Sequence, residues 1–300
     1  MLGLRLFFIK KMLRRVKDNA DYKNIPRARK GFERYVARFN QPLKGFTYAP
    51  FEASGISGEW ITPDGANDKQ VLLYFHGGGY ATGSHLTHRS LVSQIVKSSG
   101  TKALVINYSL APEHKYPAPI EDAAKVYEWL LQNQYDPSQI AFGGDSAGGG
   151  VTFGTLLYLR DQNIPLPKCA IGLSPWLDMT QSGHSHTNRR QIEPMLTVEA
   201  LPLWIENYIG DADPKSPYCS PIFHSLSGLP PVYIQVGDEE VLLDDSVLFA
   251  AKAKEDGVAV QLDIFDNHFH VFNGFWKVLP KAREANKKLG EYIKAQLNRA

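Results

Sequence analysis

Residues 139–153 read Gln139-Ile140-Ala141-Phe142-Gly143-Gly144-Asp145-Ser146-Ala147-Gly148-Gly149-Gly150-Val151-Thr152-Phe153. An apolar run leads into a glycine-flanked serine and out into a second apolar run. That context makes Gly144-Asp145-Ser146-Ala147-Gly148 a G-x-S-x-G elbow between a strand and a helix. A turn this sharp strains the backbone of the serine, and side chains beside it would clash with the returning helix. Gly144 and Gly148 remove those side chains. Ser146 is then expected to stand exposed at the helix N-terminus, where free N–H groups face a developing anion. A plain small-residue turn would use the same glycines, so the chemical reading depends on partners elsewhere in the chain.

Strands and helices alternate on both sides of the elbow. Val71–Phe75 is a continuous apolar strand, as a sheet covered on both faces requires. Ala103–Tyr108, Ile140–Phe142, Cys169–Leu173, Val232–Val236 and Val258–Phe265 are further strands. Helices are expected over Ser90–Lys97, Ile120–Gln132, Val151–Asp161, Asp245–Glu255 and Lys281–Leu297. Thr47–Phe51 and Gly58–Thr62 look like antiparallel strands, closed by the turn Pro63-Asp64-Gly65. The pattern predicts an α/β fold with a doubly wound, mostly parallel sheet of eight strands. Residues 178–218 interrupt it with a polar run, a helical Val198–Tyr208 and two proline turns. This stretch is expected to be a cap inserted between two core strands. Residues 1–44 read as N-terminal cap helices, the second being Ile25–Phe39, and residues 45–300 as the α/β domain.

The bulk numbers exclude several classes. Three hundred residues with 43% hydrophobic content suit one large domain, and a mixed-sign net charge of +2 gives no nucleic-acid surface. Cys169 and Cys219 are isolated and the histidines are scattered, so no metal site is expected. No apolar run reaches membrane-spanning length. Along Met1–Lys17 the apolar Leu2, Leu6, Ile9, Leu13 and Val16 form one helical stripe among Lys10, Lys11, Arg14, Arg15 and Lys17. Lys10-Lys11 breaks the apolar centre that a secretory signal needs, and the cytoplasm is the default location. This helix either covers the rim of an active site or lies on an anionic membrane surface. Phe7, Phe8 and Met12 would widen a packed face, which favours the cover.

A serine hydroxyl is a poor nucleophile unless a base takes its proton and an acid orients that base. His76-Gly77-Gly78-Gly79 follows an apolar strand directly, and its backbone can turn N–H groups into a cleft. The oxyanion donors are expected to be Gly77, Gly78 and Ala147. Phosphate-loop spacings are absent, and His76 is read as a brace for the loop. Past the last strand, Asp263–Phe272 offers His268 and His270 as bases. Asp238, Glu239, Glu240, Asp244 and Asp245 crowd the preceding strand end, and spacing does not choose among them. The order serine, acid, histidine is the one the elbow predicts.

These residues resemble the bacterial hormone-sensitive-lipase-like (family IV) esterases of the α/β-hydrolase superfamily. The likeness is carried by Tyr74-Phe75-His76-Gly77-Gly78-Gly79-Tyr80, Tyr108-Ser109-Leu110-Ala111-Pro112-Glu113-His114, Gly144-Asp145-Ser146-Ala147-Gly148-Gly149, Ser174-Pro175-Trp176 and His270-Val271-Phe272. It runs from about residue 46 onward. The resemblance implies that Glu240 is the acid, because Glu240-Val241-Leu242-Leu243-Asp244 fits the family's acid-x-Leu-x-Asp stretch. Most members carry aspartate there, and Asp238 and Asp244 stand as fallbacks, the latter also as a helix cap. It implies His270 as base, since that histidine precedes a β-branched residue and an aromatic. Asp145 and Glu113 are read as structural, Asp178 as a tie at the start of the cap, and Tyr80 as a lining of the acyl pocket or part of the core.

The function so implied is a cofactor-free carboxylic-ester hydrolase for small-molecule esters with short to medium acyl chains, acetyl esters and lactones among them. An amidase or deacetylase would use the same machinery. A catalytically silent receptor, as in the plant gibberellin receptors that resemble this family, would lack a triad member. Related esterases often pair through the edge strand of the sheet, and the sequence itself is silent on oligomeric state.

Overall fold

The computed structural model describes residues 2–19, 21, 23–37 and 41–299. Two helices, α1 (Leu2–Asp18) and α2 (Ile25–Ala37), precede the sheet. The expected end of the second helix at Phe39 lies outside the described residues. Strands β1 (Phe46–Ala53), β2 (Ile56–Pro63) and β3 (Asn67–Phe75) follow, then α3 (His85–Ser99), β4 (Thr101–Ile106), α4 (Ala118–Gln132), β5 (Ile140–Asp145) and α5 (Ala147–Asp161). Next come β6 (Cys169–Leu173), α6 (Ser185–Asn188), α7 (Leu201–Ile209), β7 (Val232–Gly237), α8 (Leu243–Glu255), β8 (Val260–Phe265) and α9 (Pro280–Leu297).

The eight strands form one sheet in the order β1-β2-β4-β3-β5-β6-β7-β8. The first two joins in that order, β1 to β2 and β2 to β4, are antiparallel, and every later neighbour pair is parallel. Leu91, Val92, Ile95 and Val96 of α3 pack with Leu289 and Ile293 of α9 on one face. Ile120 and Tyr127 of α4, Val151 and Leu156 of α5 and Phe249 of α8 cover the other. Burial on both faces is why β3, β5 and β6 read as unbroken apolar runs.

Two local expectations are corrected. The turn that closes the β1–β2 hairpin is Ser54-Gly55, not Pro63-Asp64-Gly65, which instead leads from β2 toward β3. Ser54 and Gly55 both take positive φ (55° and 77°), the twist that suits a tight hairpin. Helix α5 also begins four residues earlier than expected, at Ala147. Glycine is a poor helix former, but the fully buried Gly148-Gly149-Gly150 turn is held by its neighbours instead.

The helix α7 and the short α6 lie in the long segment between β6 and β7. Among the described residues no helix is long and apolar enough to cross a membrane. Cys169 and Cys219 are buried and unpaired, and burial pushes both thiols up to about 12.

Candidate active site

Strands β3, β5, β7 and β8 end on the same edge of the parallel sheet, where α/β folds bind their ligands. Ser146 follows β5 directly and caps α5 with φ 53° and ψ −122°, a backbone state costly for any residue but glycine. The α5 helix can return this closely because Gly148 has no side chain. A Cβ there would run into the carbonyl oxygen of Phe75 at the end of β3. Ser146 is only 8% exposed, so the open elbow expected from the sequence is covered.

Three side chains distant in sequence meet at this edge. Ser146 Oγ lies 2.9 Å from His270 Nε2, and His270 Nδ1 lies 2.9 Å from Glu240 Oε2. With the Nδ1 proton directed to Glu240, Nε2 is left to accept the serine proton. The other Glu240 oxygen accepts from Gly237 N and from Ser174 Oγ, both at 2.6 Å. A carboxylate with each oxygen engaged is fixed in orientation, and the extra methylene relative to aspartate does not keep it from the imidazole. Burial would lower the His270 pKa, but the hydrogen bond and charge of Glu240, with Glu193 and Asp145 adding, hold it above the ordinary 6.5.

The competing candidates have other partners. Glu239 pairs with Lys10 of α1 at 2.7 Å. Asp244 does not cap α8 but sits in its first turn, and its carboxylate accepts from Ser185 N at the start of α6. Asp245 accepts from Leu177 N and Asp178 N and faces the ring of His186 at 3.2 Å. Asp238 makes no hydrogen bond to His270 among the described residues. His268 is turned to the carbonyl of Asp266 and packs at a tilt against Phe272.

The loop after β3 brings one correction. The Gly77 N–H points to Asp145 Oδ1 and to His88 Nε2, each at 3.2 Å, so it is committed within the protein. Asp145 also accepts from Tyr74 Oη at 2.8 Å, and thus ties the loop to the elbow rather than taking part in proton transfer. Burial would raise its pKa, but His88 and Tyr74 outweigh that and hold it low. The main-chain N–H groups of Gly78, Gly79 and Ala147 form no hydrogen bond among the described residues. Gly79, with φ 61°, also lies directly under the six-membered ring of Trp204 on α7, into which a Cβ would run. His76 stacks on Tyr108 at 4.3 Å and bonds Gly77 O, and burial followed by His88 pushes its imidazole down to about 3. That is a brace. Tyr80 is fully buried and stacked on Tyr208 at 3.6 Å, which makes it part of the core beneath α7.

Both N-terminal helices reach this edge. Arg29 of α2 forks onto Glu113 (2.8 and 2.6 Å) and donates to the carbonyls of Ala81 and Ala111, holding the Glu113 carboxyl down at about 2. Leu13 of α1 is buried with Phe269 and Phe272, which flank His270. Asp178 gathers Thr180 and Ser182 at the root of the insertion.

Two residues of the site went unassigned in the sequence. Ser174, at φ 47°, bonds Glu240 and also accepts from Val271 N at 3.1 Å, so one hydroxyl joins the acid to the histidine loop. Its signal was the Ser174-Pro175-Trp176 match, to which no role was attached. Glu193, in the insertion, is fully buried. Its Oε1 accepts from Met195 N at 2.7 Å, and among the described residues its Oε2 has no hydrogen-bond partner. Burial raises its carboxyl to about 7 despite the nearby His270, with Glu240 pushing the same way. Nothing in its local sequence marks it. Among the described residues no cluster of histidine, cysteine, aspartate and glutamate could hold a metal ion.

The comparisons with known proteins agree with this fold. The profile of the alpha/beta hydrolase fold matches residues 72–274. An acetyl-hydrolase of Streptomyces hygroscopicus is 39% identical over 79% of this chain and 79% of its own length. An esterase of Acinetobacter venetianus is 34% identical over 81% and 80%. A crystal structure of an esterase from the bacterial hormone-sensitive lipase family superposes with a TM-score of 0.94 at 38% identity, covering 98% of each chain. The esterase EstE5, soaked with p-nitrophenyl butyrate, gives 0.92 at 38% identity over 98% and 99%. The chain belongs to the alpha/beta hydrolase fold family and, within it, to the bacterial hormone-sensitive-lipase esterases.

Proposed function

We propose that this serine carboxylesterase cleaves short acyl esters, acetyl esters foremost, through a Ser146–His270–Glu240 triad and an acyl-enzyme. The observation that carries the reading is the unbroken hydrogen-bonded line from Ser146 Oγ through both ring nitrogens of His270 to Glu240. His270 takes the proton of Ser146 as its oxygen attacks the ester carbonyl, and Glu240 stabilises the imidazolium. The carbonyl oxygen, now an anion, is held by the main-chain N–H groups of Gly78, Gly79 and Ala147. Each such donor is worth on the order of 10²–10³ in rate. The imidazolium then protonates the leaving alkoxide, and the alcohol departs. Water attacks the acyl-enzyme by the same proton path and releases the acid.

The short acyl preference is supported by Trp204, whose ring lies against Gly79 beside these donors. Relatives named acetyl-hydrolase point the same way. A series of p-nitrophenyl esters tests the reading, with wild type beside Ser146→Ala. Turnover is expected to peak between acetate and butyrate, to fall for longer acyl chains, and to vanish in the variant. A peak at long acyl chains would remove the acyl assignment, and turnover by Ser146→Ala would remove the nucleophile.

A further inference from the structure

Helix α1 has two apolar faces, and only one is used. Leu6, Ile9 and Leu13 point into the cluster formed with Phe265, Phe269 and Phe272. Phe7, Phe8 and Met12, which the sequence reading placed on the packed face, are 57%, 59% and 40% exposed. Leu4 and Val16 lie outward with them, and the rings of Phe7 and Phe8 meet edge to face. At 100° per residue Leu4, Phe7 and Phe8 share the side opposite Leu6, Ile9 and Leu13, with Met12 and Val16 on its exposed flank. Two aromatic rings left in water on a helix that already has a buried face call for an occupant.

Charge identifies that occupant. The exposed surface of the helix also carries Lys11 and Arg15 beside these rings and Arg5 on the flank, all without an ion pair among the described residues. The helix holds six basic side chains against Asp18 alone. The rest of the chain has fewer basic than acidic residues. Bulky apolar side chains interleaved with unpaired cations fit a surface that is apolar below and anionic above. A second copy of this chain would instead set cation against cation across a two-fold axis.

We infer that the outward face of α1, built on Phe7 and Phe8 among Arg5, Lys11 and Arg15, docks this esterase on anionic lipid surfaces. Lys10 and Lys17 face the other way, pairing with Glu239 and with the carbonyl of Glu193, so docking leaves the seat of the helix undisturbed. The helix stays on the loop that carries His270, and a lipid surface bound by its outer face meets the protein at the rim of the site. This inference does not rest on the proposed acyl preference.

Co-sedimentation of the full chain with vesicles of phosphatidylcholine, with and without phosphatidylglycerol, tests it. Wild type is expected to bind only the vesicles containing phosphatidylglycerol, and high salt should weaken the binding. Phe7→Ser/Phe8→Ser and, separately, Lys11→Glu/Arg15→Glu should each reduce it by at least about tenfold. Hydrolysis of soluble p-nitrophenyl acetate should be unchanged, which shows that each variant is folded. No binding by wild type, or undiminished binding by the Phe7/Phe8 variant, overturns the inference. So does a wild-type dimer in light scattering that the Phe7/Phe8 variant splits and that does not bind vesicles, because the face would then join two copies.

Discussion

The elbow and the α1 helix are held in opposite ways. At the elbow, positions are dictated by the main chain. Ser146, Ser174 and Val271 all take positive φ, and glycine lets α5 lie against the end of β3. No side chain there can shift without moving a strand. Helix α1 is an ordinary amphipathic helix seated through Leu13 and a few polar ties, and its Phe7 and Phe8 rings lie exposed. The difference teaches that the chemistry of this molecule is set by backbone sterics, whereas its surroundings are set by replaceable side chains.

Substitutions can break that contrast or sharpen it. The largest effect should come from Ser146→Ala, with kcat falling by about 10⁶-fold and the thermal midpoint unmoved. A midpoint that drops by many degrees would mean that the hydroxyl also holds the fold. Glu240→Gln should lower kcat by about 10⁴-fold, because the amide favours the wrong tautomer of His270. Gly148→Ala should cost upward of ~3 kcal/mol in urea unfolding, since the Phe75 carbonyl has nowhere to go. A cost under ~1 kcal/mol would deny that the backbone rules the elbow.

The fourth effect is on pH. The neutral imidazole is the base, and the folded protein holds its proton more tightly than free histidine does. Activity is therefore lost as pH falls through a value above 6.5. The acid limb of kcat/KM should lie there, and Glu193→Gln should move it to lower pH by removing a charge that favours the imidazolium. An unmoved limb would make Glu193 a structural residue only. The smallest effect is expected of Arg29→Ala, about 1 kcal/mol in stability for a half-exposed fork that also meets two carbonyls.

The elbow, the strand set and the histidine loop were legible because each is a local pattern. A glycine-flanked serine between apolar runs and eight strand signals need no knowledge of neighbours. The choice of Glu240 and His270 came from resemblance, since spacing left five acids and two histidines. Gly77 was misjudged because a free N–H is a matter of competition, and Asp145 claims it from 68 positions away. Phe7 and Phe8 were misplaced for a related reason: periodicity finds an apolar face but does not count how many faces the neighbours can cover. Ser174 and Glu193 act through contacts made only after the strands assemble.

The reactive groups lie at positions 146, 240 and 270, and β8 with the loop beyond it supplies the last of them. During synthesis the nucleophile emerges from the ribosome long before its base. A nascent chain stopped short of residue 270 can bury most of the sheet and still be inert. Ester cleavage by this molecule therefore doubles as a reporter of complete folding, readable in a cell extract without purification.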